Sequence, residues 1–126
     1  MTNQKDCTDL NELMNKLQAP FPAEDIEWRV QQSGKGNKGP WALVLAYVNN
    51  RAIQNRLDDV FGIGGWKNNY KEFLQGIICE ISCKIGDEWV TKSDGSEQTQ
   101  IEALKGGLSA SMKRAAVQWG IGRYLV

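Results

Sequence analysis

Past Glu102 the chain carries no acidic residue, while Lys105, Lys113, Arg114 and Arg123 are spread through its last quarter. Cations in a stretch free of carboxylates suit one kind of chemistry, the holding of phosphate or another polyanion by charge and hydrogen bonding. Three more belong to the candidate set: Arg29, beside Trp28, and Lys35 and Lys38 in the tract SGKGNKGP. For each, the plain alternative is a solvated surface charge. For Arg29 there is also an ion pair with Glu24 or Asp25 at helical spacing.

The whole chain has no net field to attract such a ligand, since 15 Lys and Arg balance 15 Asp and Glu over 126 residues. Binding must therefore come from segregation of charge. From Asp6 to Glu27 six acids face only Lys16, so the N-terminal part is acidic and the C-terminal part basic. That asymmetry also favours head-to-tail self-association. Length and a 41% hydrophobic composition fit one domain over residues 1–126. No apolar run resembles a signal peptide or approaches the roughly 20 residues of a membrane span, so a cytoplasmic protein is expected, with no membrane partner.

Catalysis finds little support. There is no histidine, and Cys7, Cys79 and Cys83 lack the company a metal site or disulfide framework needs. No GxxxxGK[ST] sequence occurs, and Ser109 and Ser111 have no histidine partner. The cluster from Phe61 to Trp66 follows a helix and precedes a strand, the reverse of a phosphate cradle, and reads as a helix-ending turn. Neither a cofactor nor a metal is expected, and the protein is read as a non-enzyme.

The elements that must position the cations follow from periodicity. Thr8 caps a helix with Leu10, Leu13, Met14 and Leu17 on one face, ended by Pro20 and Pro22. The segment from Pro22 predicts a second helix running toward Gln31. Ser33 to Pro40 reads as a flexible basic loop. Trp41 to Val48 predicts a strand covered on both sides, and Asn49 or Asn50 caps a helix carrying Ile53, Leu57 and Val60, closed by Gly62. Strands are expected at Trp66 to Phe73, Gly76 to Ile85 and Glu88 to Lys92, with Ile77, Cys79, Ile81, Cys83 and Ile85 facing the core. The two cysteines are thus read as small buried hydrophobes. Ser93 to Gly95 reads as a turn. A long helix from Glu97 to Trp119 then buries Ile101, Leu104, Leu108, Met112, Ala115 and Trp119. Its small residues, Gly106, Gly107, Ser109, Ala110 and Ser111, imply a close neighbour. Trp66, Trp89 and Trp119 are expected in the core or at element edges, and Trp28, Trp41 and Tyr124 nearer the surface.

Three segments, FPAEDIEWR from Phe21, RAIQNRLDDVFGIGGW from Arg51 and EALKGGLSASMKRAAVQWGIGRYL from Glu102, resemble in order and separation the Rad52 family of single-strand annealing proteins. The bacterial and phage branch, with its Sak annealases and DdrA-type damage response proteins, is the most similar. The resemblance implies an α+β fold in which a short antiparallel sheet of three or four strands packs against the long C-terminal helix, in a β-β-β-α core. It implies subunits joined into rings and ATP-independent annealing of single-stranded DNA in recombination and double-strand break repair, in a bacterium or a phage-infected host. It makes Lys113, Arg114 and Arg29 the first candidates for phosphate contact, and Lys35, Lys38, Lys105 and Arg123 join them on local charge alone. A host single-strand DNA-binding protein is a possible partner. One departure stands out: Val117 occupies the place, one turn past Lys113, of a DNA-contacting arginine in eukaryotic members. The chain also stops at Val126 without the polar tail such proteins use to contact partners, as a truncated chain would. The alternatives are a protein that coats and protects DNA 3′ ends without annealing them, and a double-stranded RNA-binding module.

Overall fold

The computed structural model describes residues 3–97 and 103–125, with side chains described from residue 10 onward except at 31 and 97–107. The chain runs through α1 (Asn3–Gln18), β1 (Ile26–Gly36), β2 (Gly39–Val48), α2 (Asn50–Phe61), β3 (Trp66–Phe73), β4 (Gly76–Ile85), β5 (Glu88–Glu97) and α3 (Ala103–Gln118). Single 3-10 turns lie at Ala23–Asp25 and Arg123–Leu125. The architecture is α+β, with the strands in two separate antiparallel sheets, β1-β2 and β3-β4-β5.

The three-stranded sheet and α3 make the core. Alternation along β4 turns Cys79, Ile81 and Cys83 onto one face, where all three are fully buried. Met112, Ala115 and Ala116 of α3 and Trp119 just past its end cover them, and Ile53 and Leu57 of α2 close the side. Trp119 donates its indole N–H to the Ile81 carbonyl at 3.0 Å, so the largest side chain in this layer is satisfied as well as packed. Burial pushes the Cys79 and Cys83 thiols up to about 11 and about 12, as expected of inert packing groups. Ser111, also fully buried, returns its hydroxyl to the Leu108 carbonyl at 3.1 Å. The helix can therefore approach the sheet closely, as its small residues required.

At the ends of α2 the expected signals hold. Asn49 accepts from the Ala52 N–H at 2.8 Å, and Gly62 closes the helix with φ of 80°. Gly65 lies so close to the helix end that an added Cβ would collide with the Phe61 carbonyl oxygen. Contacts between residues distant in sequence join α2 to α1. The Arg56 guanidinium donates to the carbonyls of Lys16, Leu17 and Ala19 at 2.9 to 3.0 Å and stacks over Phe21 at 3.8 Å. It thus satisfies carbonyls at the end of α1 that would otherwise lack partners.

Four expectations are corrected. The helix expected from Pro22 toward Gln31 is one 3-10 turn followed by β1, because Ile26, Trp28 and Val30 recur at the period of a strand and pair with Val48, Ala46 and Val44. The tract SGKGNKGP is the end of a hairpin: Lys35 pairs with Pro40 and Gly36 with Gly39 across a two-residue turn at Asn37 and Lys38. β2 is not covered on both sides, since Trp41, Leu43 and Val44 are 44 to 47% exposed. Ser93 to Gly95 belongs to β5, which follows β4 as far as Glu97 opposite Gly76. Gly95 suits that ladder because an added Cβ would press on the Ile77 carbonyl oxygen at 3.1 Å. In addition α1 starts at Asn3 rather than after Thr8, as nothing from Asn3 to Cys7 breaks a helix. Ile101 lies outside the described residues, and so does the Leu104 side chain.

Candidate nucleic-acid interface

The hairpin β1-β2 leaves the body at its root, where Val48 enters the core and the Asn49 N–H donates to the Asp25 carbonyl at 2.9 Å. Between this root and α3 runs a groove of about 250 Å³. Arg29, Ala46, Tyr47 and Val48 form one wall, and Ser109, Ala110, Lys113, Arg114 and Val117 the other. Ile53, Ile121 and Gly122 complete its lining. Gly122 is needed there, with φ of 75° and an added Cβ 2.9 Å from Val48. Three of the seven candidate cations, Arg29, Lys113 and Arg114, are brought together by this arrangement although 84 residues separate the first two.

The electrostatics of the groove are more balanced than the sequence implied. Lys113 is the most enclosed of the three, with its side chain 11% exposed. It donates to the Ser109 hydroxyl at 3.1 Å, as its place one turn along the same helix face allows. It also meets Glu27 Oε2 at 3.5 Å. Burial holds the Lys113 ammonium below the usual lysine range, Arg29 adds to the depression, and Glu27 opposes it. The other oxygen of Glu27 lies 3.5 Å from Arg29 Nη2, since residues two apart on a strand share a face. Arg114, 60% exposed, is paired through Nε with Asp94 Oδ1 at 3.3 Å. Burial alone would raise the Asp94 carboxyl. Hydrogen bonds from Gln118 and from the Gly95 N–H, together with Arg114, outweigh it and leave the group below its ordinary value.

The other candidates lie elsewhere. Lys35 and Lys38 stand at the hairpin tip, exposed, about 20 Å from Arg29 at the usual rise of a strand. Arg123 turns back on α3, donating from Nη2 to the Val117 carbonyl at 2.8 Å and the Gln118 carbonyl at 3.0 Å, where it caps the helix end. The Lys105 side chain lies outside the described residues. Val117 lines the groove as an apolar residue and adds no charge to that wall. Arg29 pairs with Glu27 rather than Glu24 or Asp25, because β1 replaces the expected helix.

Aromatic placement is largely as read. Trp119 is buried and Trp66 half-buried, donating to Asp58 Oδ1 at 2.7 Å. Trp28, Trp41 and Tyr124 are exposed. Trp89 departs from its reading, being 44% exposed under the Lys67 ammonium at 4.7 Å. Sequence reasoning missed Glu27 and Asp94 as ion-pair partners of the groove's cations. For Glu27 the signal was available in the alternation of Ile26, Trp28 and Val30, which puts Glu27 and Arg29 together on the opposite face. For Asp94 there was none, since its partner comes from packing alone.

The groove thus has one strand wall and one helix wall, with cations on both. The chain belongs to the Rad52/22 family of double-strand break repair proteins, whose family model matches residues 9–126. It is 35% identical over 118 residues to the single-stranded DNA-binding protein DdrA of Deinococcus radiodurans, covering 92% of this chain and 55% of that protein. The DdrA of Deinococcus deserti is 32% identical over 118 residues, with 92% and 57% covered. The chain therefore spans about half the length of the curated relatives it matches.

Proposed function

We propose that the chain binds single-stranded DNA in the groove between the β1-β2 hairpin and α3, and anneals complementary strands without ATP during recombination and break repair. The observation that carries this reading is the convergence of Arg29, Lys113 and Arg114 on one groove from two distant parts of the sequence. Cations at the groove lining grip the sugar-phosphate backbone and leave base edges open for pairing, which annealing requires. The relatives' name, single-stranded DNA-binding protein, supports the ligand. Lys35, Lys38, Lys105 and Arg123 stay in the proposed contact set as outlying charges. The role is one of binding rather than catalysis.

Self-assembly into a ring belongs to the same reading. Its support is the apolar side chains left open on the hairpin, Trp28, Val30 and Val44 on one face and Trp41 and Leu43 on the other. A host single-strand DNA-binding protein as partner and a place in the bacterial cytoplasm complete the proposal. Among the described residues no helix is long and apolar enough to cross a membrane. The relatives' name specifies binding and not annealing, which favours one second reading, a coat for DNA ends. Membership of the repair family leaves the duplex RNA-binding alternative without support.

The test is the affinity for an unstructured oligonucleotide over a salt series, beside duplex DNA, for the native chain and the Lys113→Ala/Arg114→Ala variant. Single strands should bind preferentially, with a salt slope that flattens by roughly 0.7 for each phosphate the variant no longer holds. A variant indistinguishable from the native chain would remove the groove from the account. Annealing of complementary strands by the native chain then separates an annealing protein from an end coat.

A further inference from the structure

Among the described residues, each cation lining the groove is already matched by a carboxylate: Arg29 and Lys113 by the two oxygens of Glu27, Arg114 by Asp94. We infer that Glu27 is a built-in counter-anion, holding on Arg29 and Lys113 the position that a strand's phosphate takes, and so setting the groove's affinity and the concentration at which lone phosphates occupy it. This inference rests on the groove being the DNA site.

The geometry is that of an anion clasp. One carboxylate presents its two oxygens to two cations on opposite walls, each at 3.5 Å, as a phosphate presents its two non-bridging oxygens. The clasp answers a need of the free protein. Lys113 is 11% exposed, and a charge so enclosed is costly to leave unpaired. Glu27 supplies the pairing. Its own side chain is 34% exposed at the edge of the groove, so it can swing toward solvent without disturbing the core. When it does, Lys113 keeps the Ser109 hydroxyl as an anchor. A phosphate entering the groove thus exchanges one anion for another on the same two cations, and the gain from that single exchange is small.

Selectivity follows from number. Among the described residues, the three cations lining the groove and their two carboxylate partners sum to one net positive charge, so an isolated phosphate has little to win by displacing Glu27. A strand offers neighbouring phosphates to Arg29, Lys113 and Arg114 together, and each contact after the first is intramolecular. Glu27 thereby guards the groove against the free phosphates and nucleotides that any cell contains, and keeps the hold on a strand light enough for release. A carboxylate that merely positioned Arg29 and Lys113 would act in the opposite sense, and its loss would weaken binding.

The experiment uses the full chain carrying Glu27→Gln, a labelled oligothymidylate over a salt series, and sodium tripolyphosphate titrated by itself. Glu27→Gln should bind the oligonucleotide roughly 3- to 10-fold more tightly, the scale of one partly exposed ion pair. Its salt slope should steepen by up to about 0.7, as one more net charge becomes available. Tripolyphosphate alone should bind this variant severalfold more tightly than the native chain in direct titration, since Glu27 opposes either ligand alike. Glu27→Asp, which keeps the charge and withdraws it by one methylene, should fall between. Unchanged or weaker binding by Glu27→Gln, with the Lys113→Ala/Arg114→Ala variant weakened, overturns the counter-anion and leaves the groove standing. If the double variant binds like the native chain, the groove reading fails and the inference goes with it.

Discussion

The two sheets carry similar alternations of apolar side chains and put them to opposite uses. In β3-β4-β5 the apolar face of β4 is sealed by α3, and Cys79, Ile81 and Cys83 have no exposed surface. In β1-β2 the counterpart residues have no such cover: Trp28 is 70% and Val30 63% exposed. A period of two announces a strand, but what lies across the face decides whether that strand holds the molecule together or offers a surface. Stability belongs to the sheet under α3, and the groove forms where the open hairpin meets that stable layer.

The sharpest way to break this contrast is truncation on each sheet. Ile81→Ala should cost about 2 to 5 kcal/mol in denaturant-induced unfolding, whereas Leu43→Ala should stay within roughly 0.5 kcal/mol. Similar losses would mean that the hairpin is covered in solution, and a loss for Leu43→Ala that grows with protein concentration would locate the cover in another subunit.

At the seam between the regions lies Lys113, a proposed phosphate contact that is also half-buried. Its lowered ammonium value means that the charged form is less at ease in the fold than in water. That penalty is fully present below the folded value and lifts as pH rises from there to the ordinary lysine range. Lys113→Met should therefore melt at or above the native temperature while losing about tenfold in single-strand affinity. A variant that both melts lower and binds normally would invert the assignment.

The smallest effect concerns Asp94 on β5. Its depressed carboxyl contributes stability that is fully present above the ordinary aspartate value and is lost as pH falls through the folded one. Asp94→Asn should destabilise by under about 1 kcal/mol at neutral pH. The difference from the native chain should close in melts carried below about pH 4. A gap of constant size would show that packing, not charge, is what Asp94 supplies.

Much of the stable region was legible in the sequence because its signals are local. Asn49 and Gly62 bracket α2, and the alternation in β4 names its own buried face. The hairpin was obscured by equally local signals pointing elsewhere. Pro22, Glu24 and Asp25 make a fair helix start, and they do form one 3-10 turn before Ile26, Trp28 and Val30 impose a strand. Gly34, Gly36 and Gly39 look like loop residues, yet Gly34 sits in β1 where an added Cβ would lie 3.0 Å from the Trp41 ring. The cations of the groove could be named from charge and resemblance. Its carboxylates could not, because pairing Glu27 with Lys113 spans 86 positions and depends on β1 being a strand.

The length of the hairpin has an electrostatic consequence. Lys35 and Lys38 at its tip stand about 20 Å from Arg29 at its root, roughly two screening lengths at physiological ionic strength. Charges so separated act on a polyanion one after the other rather than in concert. On the proposed reading, the tip reaches into solution beyond the field of the root and alters how often a chain of phosphates is met. On the same reading the root, closed between β1 and α3, alters how long it stays. Salt therefore weakens the first action before the second, and the rates of arrival and departure become separate quantities, set at opposite ends of one hairpin.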